Sequence, residues 1–117
     1  MTTAGRVLLI HAYSDAPDVL TAALRVARNA VAGLGDGATV QVVVQGGAVR
    51  GLTADTALEQ DLLSMMQEGS VDVIACRNSM RSAGIEPDRL LAGVGTVPAA
   101  VSHLAELQWA GAAYVRL

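Results

Sequence analysis

"RVLLIHAYSDAPD", residues 6–18, decides the fold class. Its opening run, Arg6 to Ile10, is almost wholly apolar, as expected of a strand covered by helices on both faces rather than wet on one. "HAYSDAPD" then supplies turn and capping residues, with Pro17 suited to a first helical turn. Leu20, Ala23, Leu24, Ala27 and Val31 follow at helical spacing, and "GLGDG" (Gly33 to Gly37) ends that helix. A buried strand, a capped turn and an amphipathic helix in that order form the repeating unit of a parallel α/β sheet.

The unit recurs downstream. Strand two is predicted over Thr39 to Gln45, running into a turn at Gly46 and Gly47. Thr56 with Glu59 fits a capping box opening a helix whose apolar face carries Leu58, Leu62, Met65 and Met66, closed by Gly69. Strand three, Val71 to Ala75, delivers Cys76 at its carboxyl end. A short helix is expected over Ser79 to Ala83 and ends at Gly84, with a further helical turn over Pro87 to Leu91. Val94 to Val97 is a fourth strand, Pro98 starts a helix through Trp109, and Ala113 to Arg116 is a fifth strand. The expected architecture is a single domain over residues 1–117: a three-layer α/β/α sandwich with a mainly parallel sheet of about five strands, flavodoxin-like in outline. Right-handed crossovers gather the strand-to-helix loops along the carboxyl edge of the sheet. That edge holds His11, Gly46 and Gly47 with Arg50, Cys76 with Arg77 and Asn78, and Thr96, so a site is expected there.

The bulk composition agrees with a compact fold. Apolar residues make up 52% of the 117 and charged residues 16%, too apolar for a disordered chain. Aromatic residues are limited to Trp109, Tyr13 and Tyr114, so the core is built from aliphatic side chains and Met. A formal charge of −3, with no lysine, offers no footprint for nucleic acid and no platform for stacked bases. No apolar segment approaches the roughly 20 residues of a membrane-spanning helix, and "RVLLI" is too brief for a secretory core. The expected compartment is the cytoplasm, which keeps a lone thiol reduced.

Three sites common in this architecture fail on particular residues. The loop after strand one has no glycine and carries two acids, so it is neither a dinucleotide fingerprint nor a flavin-phosphate cradle. A phosphoacceptor domain needs Asp where this chain has Cys76, and a Lys that it lacks. One Cys and two distant His do not make a zinc site. No metal and no cofactor is expected.

Cys76, the sole cysteine, admits two readings. Free cysteine is among the most buried residue types, and packing explains most of them. Against that, Cys76 precedes a helix start whose free N–H groups favour an anion, with Arg77 and Arg81 nearby; such a setting favours the reactive thiolate.

The stretches "ACRNSMRSAGI" and "GVGTVPAAVSHLAELQWAGAAYVRL" carry a resemblance. They are similar to the DsrE/DsrF-like family of small sulfur-relay proteins at Ala75, Cys76, Asn78, Ser79, Met80, Val97, Pro98, Leu104, Leu107, Gln108, Gly111, Tyr114 and Val115. "VLLIHAY" and "VVVQGGAV" also fit, so the likeness spans nearly the whole chain. It implies a thiol that carries sulfur as a persulfide between donor and acceptor proteins, and subunits assembled as a homotrimer or hexamer. Cys76 is the residue to which that role transfers. Without a second cysteine a dithiol mechanism within one chain is excluded, whereas a persulfide carrier needs one thiol.

The supporting residues keep two readings each. His11 is either a base or anion contact near Cys76 or an ordinary histidine satisfied by its surroundings. Gly46 and Gly47 are either a backbone nest for an anion, backed by Arg50, or a simple turn. His103 sits on a helix surface with no partner in view. The functional expectation is a sulfur carrier or sulfurtransferase-like protein; the alternative is a non-catalytic oligomeric module that binds a small anion or protein partner at the same edge.

Overall fold

A computed structural model describes residues 6–16 and 18–117; the helix-start expectation for Pro17 lies outside them. Five strands, β1 (Arg6–Tyr13), β2 (Ala38–Gln45), β3 (Val71–Cys76), β4 (Gly95–Val97) and β5 (Ala113–Arg116), form one all-parallel sheet in the order β4-β3-β2-β1-β5. Among the described residues four α-helices connect them: α1 (Asp18–Leu34), α2 (Glu59–Gln67), α3 (Arg77–Ala83) and α4 (Ala100–Trp109).

Chain order and strand order explain the layers. From β1 to β4 the chain steps strand by strand in one direction, so right-handed crossovers put α1, α2 and α3 on one face. The last crossover must return past the whole sheet to reach β5 beside β1, which puts α4 on the other face. Alternation along each strand then splits the core. Ile10, Ala12, Val40, Val42, Val44, Val73 and Ala75 meet Leu20, Leu24, Leu62, Met65 and Met80 on the three-helix side. Leu9, Val43 and Cys76 meet Ala100 and Leu104 on the α4 side. One helix cannot cover five strands, and Tyr13, Tyr114 and Val115 stay exposed in this chain.

The structure moves some expected boundaries. β1 continues past Ile10 to Tyr13, because the His11 side chain is buried and fully hydrogen-bonded. The expected turn at Gly46 and Gly47 opens a 3₁₀ segment, Gly46–Leu52, that buries Ala48, Val49 and Leu52. Thr56 and Glu59 form no capping box: Thr56 Oγ accepts the Leu58 N–H in a local turn, and no side chain caps α2. α3 begins at Arg77 rather than Ser79, with Cys76 itself as the preceding cap residue. α4 begins two residues after Pro98, and the turn after Pro87 is a short 3₁₀ segment, Pro87–Arg89. Gly84, in the left-handed region at φ +72°, ends α3 as the sequence predicts. No helix of the described residues is long and apolar enough to cross a membrane.

Candidate functional site around Cys76

β3 ends where its last side chain, Cys76, turns toward α4. Cys76 is 2% exposed and packs with Leu9, Val43, Ala100 and Leu104, yet it borders a cavity of about 340 Å³ at the carboxyl edge. Tyr13, Asp15, Gln45, Gly46, Arg50 and Asn78 are among the residues that surround this opening. The Ala100 N–H donates to Cys76 Sγ at 3.4 Å, from the first turn of a helix twenty-four residues further on. Burial, the largest single influence on the thiol, disfavours the anion. The N–H and hydroxyl of Ser79, then the N–H groups of Ala100 and Asn78, outweigh it and hold the thiol below its ordinary pKa. Of these groups the Ala100 N–H makes the direct hydrogen bond to the sulfur, and no N–H of α3 is capped by it.

Arg77 and Arg81 do not contribute as the sequence suggested. Both line a different cleft, with Met80, Ile85, Glu86 and Pro87, and the Arg81 guanidinium donates to Asn78 Oδ1. On a helix, residues 77 and 81 share a face, whereas Ser79 and Ser82 lie toward the cavity. Asn78 borders the cavity and links the two sides. Thr96 registers with Ala75, not Cys76, and so points to the opposite face of the sheet.

Gly46 and Gly47 line the same cavity as Cys76, but their N–H groups are already engaged. Gly46 donates to Ser79 Oγ at 2.8 Å and Gly47 to Asp15 Oδ1 at 2.8 Å. Gly46 sits at φ +74°, where a Cβ would press on the Tyr13 ring at 3.1 Å. A Cβ on Gly47 would come within 2.7 Å of Asp15 Oδ1 and 2.8 Å of Arg50. The glycines let these loops close on one another. The bond from Gly46 also uses the acceptor side of the Ser79 hydroxyl, leaving its proton free for Cys76.

His11 stands one strand further away, in register with Val43 of β2. It is 7% exposed, with Nδ1 2.6 Å from the Tyr114 hydroxyl and Nε2 2.8 Å from Gln45 Oε1. A carbonyl oxygen only accepts, so Nε2 carries the proton and the Tyr114 hydroxyl donates to Nδ1. Neither nitrogen is left to take a proton from Cys76. Burial holds the imidazole below its ordinary pKa; the Gln45 bond opposes this and the Arg116 charge adds to it. Arg116 lies 5.3 Å over the Tyr13 ring, closing a second cavity of about 390 Å³ beside the first. His103 is not without a partner: its Nε2 lies 2.8 Å from Gln41 Oε1.

The residue that sequence reading missed is Gln45. It borders both cavities and joins His11 to the neighbourhood of Cys76. The available signal was a polar side chain closing the apolar run "VVV" of Val42 to Val44.

Residues 9–117 match the DsrE/DsrF-like family. No curated protein matches the chain. Among solved structures, it is similar to a protein of unknown function, MTH1491, from Methanobacterium thermoautotrophicum. That pair is 28% identical, with a TM-score of 0.85 over 96% of this chain and 99% of the other. The YchN protein from E. coli is 16% identical, with a TM-score of 0.76 over 97% and 99% of the two chains. A protein of unknown function, BT1422, from Bacteroides thetaiotaomicron is 19% identical, with a TM-score of 0.68 over 95% and 94%. The last two likenesses speak for the fold alone.

Proposed function

The chain belongs to the DsrE/DsrF-like family, and from that premise we propose that it is a cytoplasmic carrier of sulfane sulfur, held as a persulfide on Cys76. The observation that carries this reading is the Ala100 N–H bond to the Cys76 sulfur at the border of an open cavity, beside the Ser79 and Asn78 groups in the first turn of α3. They favour the thiolate against the cost of burial, and the thiolate is the nucleophile in exchange at sulfur.

The step is balanced with one thiol. The Cys76 thiolate attacks the outer sulfur of a donor persulfide, R–S–SH, and a new S–S bond forms. The donor's own S–S bond breaks, its electron pair leaves on R–S⁻, and the proton stays on the transferred sulfur. Nothing is oxidised or reduced overall, and no cofactor takes part. Handing the sulfur to an acceptor thiolate is the same step in reverse. We further propose that the uncovered α4 face is where subunits meet as a trimer or hexamer, with donor and acceptor proteins approaching the carboxyl edge.

A second reading rests on the 2% exposure of Cys76 and its place among Leu9, Val43 and Leu104. In it the thiol is packing and the edge binds a small anion or a protein without chemistry. Intact mass after exposure to glutathione persulfide separates the two. The carrier gains one sulfur, loses it to reductant, and fails to load as Cys76→Ser. A thiol that stays unmodified and resists alkylation until the protein is denatured establishes the packing role instead.

A further inference from the structure

The carboxyl edge of the sheet carries a transverse row of side chains. Tyr13 of β1 registers with Gln45 of β2, and Val44 of β2 registers with Ala75 of β3. One step further along both strands, Gln45 and Cys76 stand side by side on the α4 face, on strands about 4.8 Å apart. Both border the same cavity.

The orientation of the Gln45 amide is fixed from behind. Gln45 Oε1 accepts the His11 Nε2 proton, and His11 Nδ1 in turn accepts from the Tyr114 hydroxyl, so the imidazole is held at both ends behind the amide. With its oxygen held by His11, the amide presents its other prong, the NH₂ group, away from the imidazole. Among the described residues this nitrogen has no protein partner, and no buried side-chain polar atom lacks one. The Gln45 NH₂ group therefore faces open space.

We propose that Gln45 holds the outer sulfur of the Cys76 persulfide through its NH₂ group, with His11 and Tyr114 as positioning residues. The proposal rests on the reading of Cys76 as a sulfur carrier. It gives the buried His11 a role that its occupied nitrogens permit: it orients a donor rather than moving a proton. Outer sulfur gained from R–S–SH arrives bearing lone pairs and, once deprotonated, a charge. Next to it stands a preorganised neutral donor, which leaves the sulfur transferable where a cation would bind it more tightly.

The test uses timed intact mass on the full chain exposed to glutathione persulfide, with iodoacetamide alkylation of unloaded Cys76 as a parallel measure of the thiol itself. Gln45→Leu should alkylate at close to the parent rate, yet load roughly tenfold more slowly or shed its sulfur roughly tenfold faster, the worth of one hydrogen bond to a charged group. Gln45→Glu, which puts a carboxylate beside the sulfur, should load more slowly still. Tyr114→Phe removes the bond that holds His11 Nδ1, loosens the ring behind Gln45, and should lie between Gln45→Leu and the parent. Nitrogen NMR should find His11 protonated at Nε2 in the parent and mixed in Gln45→Leu, which removes the oxygen that fixes the tautomer. If the parent loads and Gln45→Leu matches or exceeds it, the inference is overturned while the carrier reading stands. If the parent never loads, both fall.

Discussion

The Ala100 N–H meets Cys76 Sγ at 3.4 Å, so the helix that returns the chain across the sheet also supplies a donor to the thiol. Fold topology and thiol chemistry are thereby coupled. The same crossover that places α4 alone on its face brings its first turn over the end of β3.

That donor set predicts the pH profile of Cys76. Its pKa is lowered in the fold, so the alkylation rate should reach half its maximum at a lower pH than in the unfolded chain. The linkage sign follows that of an acid with a depressed pKa. The stabilisation is fully present above the unfolded value and is lost as pH falls through the folded one. Rate against pH for the native protein and for its urea-unfolded form measures the difference. Coincident curves would remove the proposed electrostatic support.

The two histidines set a second pH dependence with its own sign. Burial lowers both His11 and His103 below the ordinary value of about 6.5. The unfolded chain therefore takes up protons first as pH falls. Stability should be full above about 6.5 and decline below it until the folded values are reached. Urea midpoints between pH 7.5 and pH 5, for the parent and for His11→Asn and His103→Asn, should show a shallower decline in each variant. A parent midpoint that is flat across that window would contradict this assignment.

Exposed apolar surface predicts assembly. Trp109 is 80% exposed and Val101 69%, both on α4, and the edge strand β5 exposes Tyr114 and Val115. Such a patch beside an open sheet edge normally finds cover. Light scattering at micromolar concentration should give a trimer or hexamer, and Val101→Glu or Trp109→Glu should shift it toward the single chain. A parent that scatters as one 12.0 kDa chain would refute the assembly.

How much of this was legible depends on where each signal sits. Apolar runs and helical spacing gave all five strands and the four α-helices of the described residues, most clearly at β1 and β2, whose centres are buried on both faces. Boundaries were lost where a polar residue is satisfied by distant partners. His11 looked like loop because Tyr114, 103 positions away, closes its hydrogen bond. The Cys76 motif was readable, yet its Ala100 donor and its Gln45 neighbour depend on crossover and register. Proximity along the chain pointed to Arg77 and Arg81, but helical geometry turns both from the sulfur.

The 3₁₀ segment Gly46–Leu52, read in the sequence as a glycine turn, supplies a stability prediction. Leu52 is fully buried within the larger core, and Val49 beside it is equally so. Leu52→Ala should cost about 2–5 kcal/mol by urea unfolding, the range for a leucine removed from a packed core. A cost well under 1 kcal/mol would mean that this segment is not part of the core.

The groups that act on the thiol are not those that merely lie near it in sequence. The Ser79 hydroxyl accepts from Gly46 and has its own proton free for Cys76, whereas Arg77 and Arg81 line the cleft on the other side of α3. Ser79→Ala removes one donor without opening the core, since Ser79 is only half-buried. It should raise the thiol pKa and slow alkylation near neutral pH by roughly tenfold, the worth of one charge-assisted hydrogen bond. Arg77→Ala and Arg81→Ala should leave the titration close to that of the parent. Thiol titrations of the three variants under one ionic strength decide the matter. A rise in Arg77→Ala equal to that in Ser79→Ala would return the arginines to the site and displace the hydroxyl from it.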